Sequence, residues 1–167
     1  MAAGGKRRSY EAGHRPKFLV VVDDTPECER AIRFAARRVT RTGAILLMLG
    51  VVTPPDNFEW LGVGDAMRAE AEEDAHERLE AAAALARAAA GVDAEQAVRV
   101  GDKSEAILEL INEDEDISFL VLAAAVGKEG PGPLVSNLAG KAASTFPVPV
   151  VIVPGSLTDE EIDALAG

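Results

Sequence analysis

The chain holds 167 residues, enough for one domain with a sizeable core and too few for two ordinary ones. With 48% hydrophobic and 27% charged residues it reads as a soluble globular chain, and a net charge of −11 argues against a nucleic-acid partner held by counterion release. No apolar run approaches the roughly 20 residues that cross a bilayer, and the N-terminus has no continuous apolar stretch of secretory type, so a cytoplasmic protein without membrane or nucleic-acid partners is expected.

Residues 1–16 read as a flexible basic tail: Gly4, Gly5 and Gly13 surround the cluster Lys6-Arg7-Arg8, with little to bury. From Lys17 the pattern changes. Phe18 to Val22 is an unbroken apolar run, as expected of a strand buried on both faces, and it stops at Asp23-Asp24. Thr25 is placed to cap a helix, with Pro26 at its first position and Glu27 and Glu29 at the positive end of the dipole. Cys28, Ile32, Ala35 and Val39 then share one helical face ending near Gly43, so Cys28 reads as a small core residue rather than a nucleophile.

A second strand, Ala44 to Val52, ends at Pro54-Pro55. The loop Asp56 to Gly64 carries Trp60, and Asp65 is placed to cap a helix running to about Ala90. Its small residues Ala71, Ala75, Ala82, Ala86 and Ala89, with Met67 and Leu79, repeat every three or four positions, a face narrow enough to lie close on a sheet. Its acids and His76 read as the solvated side. A third strand, Glu95 to Val100, leads through Gly101 to Asp102, whose spacing to Glu105 resembles a capping box. Ile107, Leu110 and Ile111 should face inward. Ile117 to Val126 is the longest strand expected, followed by a glycine-rich loop, a helix from about Leu134 to Thr145 and a last strand from Val148 to Val153. Pro149 puts that strand at a sheet edge. Residues 155–167 form a short amphipathic appendix, with Thr158 and Glu161 spaced as a capping box.

Strands alternating with helices imply an α/β fold, a mostly parallel sheet with helices on both faces. Ligands of such sheets bind beyond the carboxyl ends of the strands, where the strand order reverses. Two loops are candidates: Asp23-Asp24-Thr25 after the first strand, and Gly127-Lys128-Glu129-Gly130-Pro131-Gly132-Pro133 after the fourth, with Gly140-Lys141 beyond. Glycines directly after a buried strand let backbone N–H groups approach an anion, and the two lysines add point charges. A P-loop is excluded, since Val135 stands where a glycine is needed and Ala142 where a hydroxyl is needed. No serine or cysteine has an evident catalytic partner, so no catalytic residue is assigned.

Gly127, Gly130 and Gly140 form G-x2-G-x9-G, which resembles the ATP-binding signature of the universal stress protein family. The likeness spans residues 17–154 and includes Val20-Val21-Val22-Asp23-Asp24-Thr25, Gly101-Asp102, and the ending Pro147-Val148-Pro149-Val150-Val151-Ile152-Val153. It implies a Rossmann-like, adenine nucleotide alpha hydrolase-like sheet of five parallel strands in the order 3-2-1-4-5. It also implies a cofactor-binding set. Val22 and Asp23 would border adenine and ribose, Val51 or Val52 and Val126 would line the adenine pocket, and Gly127, Gly130, Gly140 and Lys141 would surround the phosphates, with Thr25 and Ala142 also in the set. The implied ligand is ATP or AMP, with or without magnesium, and at most slow ATP hydrolysis is expected. The implied assembly is a homodimer through residues 148–153, and the implied role is that of a stress-response binding module.

This sequence departs from the family pattern in three places. Lys141 replaces a hydroxyl residue, Ala123-Ala124-Ala125-Val126 precedes the motif, and Pro131 and Pro133 remove N–H donors. A degenerate member acting as a non-nucleotide dimeric scaffold is the second reading. A third uses Asp23-Asp24 as the magnesium-binding acids of a receiver-like phosphoacceptor domain, with Asp102 as acceptor, but lacks a lysine after the last strand.

Overall fold

The computed structural model describes residues 6–54 and 64–167. Most of the Trp60 loop lies outside that range. The elements run β1 (Lys17–Val22), α1 (Cys28–Thr42), β2 (Ile45–Val52), α2 (Gly64–Ala90), β3 (Glu95–Val100), α3 (Lys103–Glu113), β4 (Ile117–Ala124), α4 (Pro133–Ala139), β5 (Val150–Pro154) and α5 (Asp159–Ala166). All strand pairs are parallel, in the order β3-β2-β1-β4-β5. Sequence order therefore reverses between β1 and β4, and the crevice beyond their carboxyl ends is the natural ligand position.

The two-residue period of β1 divides the interior. Phe18, Val20 and Val22 pack with Ile32, Ala35 and Val39 of α1 and Leu79, Ala82 and Ala86 of α2. Leu19 and Val21 point to the opposite face, among Ile107, Leu110 and Ile111 of α3 and Val135 and Leu138 of α4. Alanine on α2 and Gly50 on β2 bring that helix down onto the sheet: a methyl group added at Gly50 would lie 3.2 Å from Leu79. The close-packed face starts at Ala75. Met67 is exposed and Ala71 only partly buried.

Several local expectations change. Glu27, not Thr25, occupies the cap position of α1, without a side-chain cap. The Thr25 hydroxyl donates instead to Asp23, while the Thr25 carbonyl accepts from Cys28 N–H at 3.3 Å. A carboxylate two residues away is the stronger acceptor, and it draws the hydroxyl out of the capping role. α2 begins at Gly64, so Asp65 lies in its first turn rather than before it. α4 stops at Ala139, well short of Thr145, and the chain continues through turns closed by Ala142 N–H to Asn137 and Ala143 N–H to Gly140. β4 ends at Ala124 and β5 begins only at Val150, after Pro149, whose carbonyl accepts from Leu120 N–H at 3.0 Å. β5 is an edge strand, as a proline with no N–H to donate requires. Two caps form as expected: Asp102 accepts from Glu105 N–H, and Thr158 and Glu161 complete a reciprocal capping box.

The described part of the N-terminal segment is docked rather than free. Arg7 donates to the carbonyls of Asp114 and Ile117 at 3.0 and 3.3 Å, Arg8 N–H to Glu115 at 2.9 Å, and His14 Nδ1 lies 2.7 Å from Asp116. These partners include the carbonyl-rich end of α3, which attracts a guanidinium. At the other terminus α5 folds back onto α1, with Ile162 fully buried in the α1–α2 cluster. Arg33 pairs Asp163 through two hydrogen bonds of 2.8 Å each.

Candidate functional site

A cavity of about 480 Å³ opens at the carboxyl ends of β1 and β4. Val21, Leu122 and Ala123 supply its apolar surface from the strands, Asp23 and Thr25 line it from the turn after β1, and Pro131, Gly132 and Pro133 from the loop after β4. The acidic turn and the glycine–proline loop therefore share one cleft, at the position where strand order reverses.

Asp23 is the best-defined polar group in it. Its Oδ1 accepts from Thr25 N–H at 3.0 Å and from the Thr25 hydroxyl, so one oxygen is held by the turn itself. Its Oδ2 faces the Lys103 ammonium at 3.4 Å, from the first residue of α3. Asp102 and Ser104 also line the cavity, and the Asp102 carboxylate is engaged by Glu105 N–H at 3.2 Å. Cys28 borders the cavity with its thiol directed at the Val21 carbonyl, 3.5 Å away. Burial, reinforced by the charges of Asp23, Glu27 and Glu29, pushes that thiol up to about 11, so at neutral pH it stays protonated and inert.

The remaining residues expected around a ligand are distributed differently. Val22 points to the α1–α2 face and Val21 to the cavity, because neighbouring residues of a strand face opposite ways. Val51 and Val52 do not line the cavity, whereas Thr53, two residues beyond Val51, does. Val126 is 70% exposed and outside it. Gly127 and Gly130 adopt φ of 134° and 88°, where glycine is favoured, but they shape the loop rather than line the cavity. Ala125 N–H donates to the Pro131 carbonyl at 3.0 Å, so the loop itself takes up a donor at the end of β4.

Gly140, Lys141 and Ala142 stand at the carbonyl end of α4, outside the cavity lining. A methyl group at Gly140 would lie 2.7 Å from the Ser136 carbonyl, so the glycine is required by the tight exit from the helix. Asn137, from one turn earlier on the face that carries Pro133, reaches the cavity instead. Lys103, Thr53 and Asn137 were not singled out by sequence. The period-two pattern of β2 and the i, i+4 step on α4 point to Thr53 and Asn137. Lys103 meets Asp23 across 80 positions of sequence, and nothing local signals it.

The receiver-like reading fails on topology. Such a domain belongs to the 2-1-3-4-5 class of doubly wound sheets, whereas here β3 is the edge strand beside β2. Among the described residues, no group of three or more His, Cys, Asp or Glu side chains is placed to hold a metal ion. No helix among them is long and apolar enough to cross a membrane.

Comparison with known proteins agrees with this architecture. The model of the universal stress protein family matches residues 14–154. The universal stress protein UspA from Lactobacillus plantarum superposes with a TM-score of 0.67 at 17% identity, over 83% of this chain and 97% of that one. A universal stress protein solved in complex with cAMP gives 0.58 at 21% identity, over 84% and 98% of the two chains. One from Archaeoglobus fulgidus in complex with dAMP gives 0.55 at 18% identity, over 83% and 97%. No curated protein matches the chain in sequence.

Proposed function

The chain belongs to the universal stress protein family, and on that premise we propose that it is a regulatory module that binds an adenine nucleotide in the cavity beyond β1 and β4. The observation that carries this reading is the 480 Å³ cleft shared by Asp23 and the β4–α4 loop. Its size falls within the roughly 300–1,000 Å³ of small-molecule sites, and it combines apolar strand residues with a few convergent polar groups. A planar base suits Val21, Leu122 and Ala123, and a ribose hydroxyl suits Asp23 Oδ2, the oxygen the turn leaves available. Related structures solved with cAMP and dAMP support the choice of ligand class. Cys28 is a protonated, buried thiol, and the bound nucleotide is proposed to act by shifting a conformational or partner equilibrium.

A second copy of the chain is the proposed partner. β5 is a sheet edge with Ile152 37% exposed, and pairing this edge with its symmetry mate would cover it in an isologous contact. Light scattering at rising concentration should report a dimer, and a persistent monomer refutes this part of the reading.

Titration calorimetry with AMP, cAMP and ATP, with and without magnesium, tests nucleotide binding. The expected result is micromolar affinity for at least one of them, about −7 to −8 kcal/mol. Heat only at millimolar ligand would leave the chain as a dimeric scaffold without a nucleotide.

A further inference from the structure

The charged residues lining the cavity are Asp23, Glu27, Asp102 and Lys103, so among the described residues Lys103 is its only cation. Its ammonium contacts Asp23 Oδ2 at 3.4 Å, a long distance for a charge-assisted contact, with side chains 36% and 23% exposed. The pair stands over a void rather than over packed side chains, and either partner can be displaced without opening the core. Asp23 Oδ1 remains held by Thr25 when that happens, so the carboxylate keeps its orientation.

We propose that Lys103 is the phosphate-contacting residue of this cavity, exchanging Asp23 for the single phosphate of a nucleoside monophosphate. The inference rests on the nucleotide reading above. In this exchange the ammonium moves to the ligand's phosphate while a ribose hydroxyl donates to the vacated Asp23 Oδ2, so each charge trades one partner for another. A second or third phosphate finds no further cation among the described residues lining the cavity. It meets Asp23, Glu27 and Asp102, and a loop in which Pro131 and Pro133 have no N–H and the Ala125 N–H is already bonded. Lys141 and Lys128, which sequence spacing offers as phosphate partners, do not line the cavity. The selectivity follows: AMP above adenosine, and ATP no better than AMP.

The test is magnesium-free calorimetry of the full chain and of Lys103→Met with adenosine, AMP and ATP. Wild type should bind AMP about tenfold more tightly than adenosine, with ATP no tighter than AMP. Lys103→Met should bind AMP and adenosine alike, with adenosine within about threefold of wild type. Raising salt from about 0.05 to 0.5 M should erode the AMP advantage of the wild type and leave adenosine unchanged, a measurement that needs no variant. Lys103→Arg should keep the AMP preference. Equal binding of AMP and adenosine by wild type, or undiminished AMP preference in a folded Lys103→Met, overturns the role of Lys103 while leaving nucleotide binding intact. ATP binding tenfold tighter than AMP overturns the monophosphate selectivity. If wild type binds none of the three, the nucleotide reading itself falls.

Discussion

Two acid–base contacts in this molecule differ in what lies beneath them. Over the α1–α5 contact, Arg33 grips Asp163 through two hydrogen bonds of 2.8 Å, Arg30 reaches Asp159 at 2.7 Å and the Leu157 carbonyl at 3.0 Å, and Arg38 donates to the Ala166 carbonyl at 3.2 Å. Ile162 and Ala166 fill the space below, both without solvent exposure. At the sheet's carboxyl end Lys103 and Asp23 make a single contact of 3.4 Å across an open cavity. Where the space below is filled, charges register one helix on another, and the apolar contact supplies most of the stability. Where it is empty, the same chemistry is available to a ligand. The family match ends at residue 154, so it covers both partners of the open contact and only the α1 side of the filled one.

The comparison can be broken most forcefully from its filled side. Ile162→Ala should destabilise the chain by about 2–4 kcal/mol in urea unfolding, with nucleotide affinity unchanged in the folded fraction, because α5 does not border the cavity. An equal loss of binding would mean that the two regions are coupled. On the open side, Asp23→Ala should weaken AMP binding at least tenfold, or about 1.4 kcal/mol, and affect stability less than Ile162→Ala does. A global collapse would show that the turn is structural after all.

Asp163→Asn is a smaller perturbation. The hydrogen bond from Arg33, helped by the charges of Arg33 and Arg37, holds the Asp163 carboxyl below the usual carboxylate range against the opposing effect of desolvation. A carboxyl depressed in the folded state adds stability above its ordinary value, and that contribution disappears as pH falls through the folded one. The melting temperature of wild type should therefore exceed that of Asp163→Asn modestly at neutral pH. The gap should close as pH falls below about 4. A gap independent of pH would remove the ion pair as its cause. The smallest expected effect is none: Lys141→Ala should leave affinity for AMP and ATP within about twofold, since Lys141 stands at the far end of α4. A large loss would return the phosphate site to the position that the glycine spacing implied.

Much of the architecture was legible because it is written in short-range patterns. The unbroken apolar run of β1, the helical spacing from Cys28 to Val39 and the limits of β3 all lie within a few residues of the features that cause them. So do the Asp102 and Thr158 caps, and Pro149 was enough to place β5 at an edge. The strand order came with the family resemblance rather than from periodicity. The cleft between the turn after β1 and the loop after β4 was legible as a place, and the residues that line it only in part. Asp23 and Thr25 line it. Gly140, by contrast, fits the motif spacing yet serves the exit from α4, because a side chain there would strike the Ser136 carbonyl. A glycine spaced for a phosphate and a glycine spaced for a helix end look alike in a string of letters.

By itself, then, the sequence determined the alternation of strands and helices, the faces that are buried, the acidic turn after β1 and the glycine–proline loop after β4. Only the tertiary structure decided that Lys103 stands opposite Asp23, that Thr53 and Asn137 border the cavity while Val22 and Lys141 do not, and that residues 7–14 are held against the end of α3. The reason is one of range. Hydrophobic period and capping act over a single turn or pleat, whereas the partner of a charge 80 residues away depends on how the sheet and its helices have already packed.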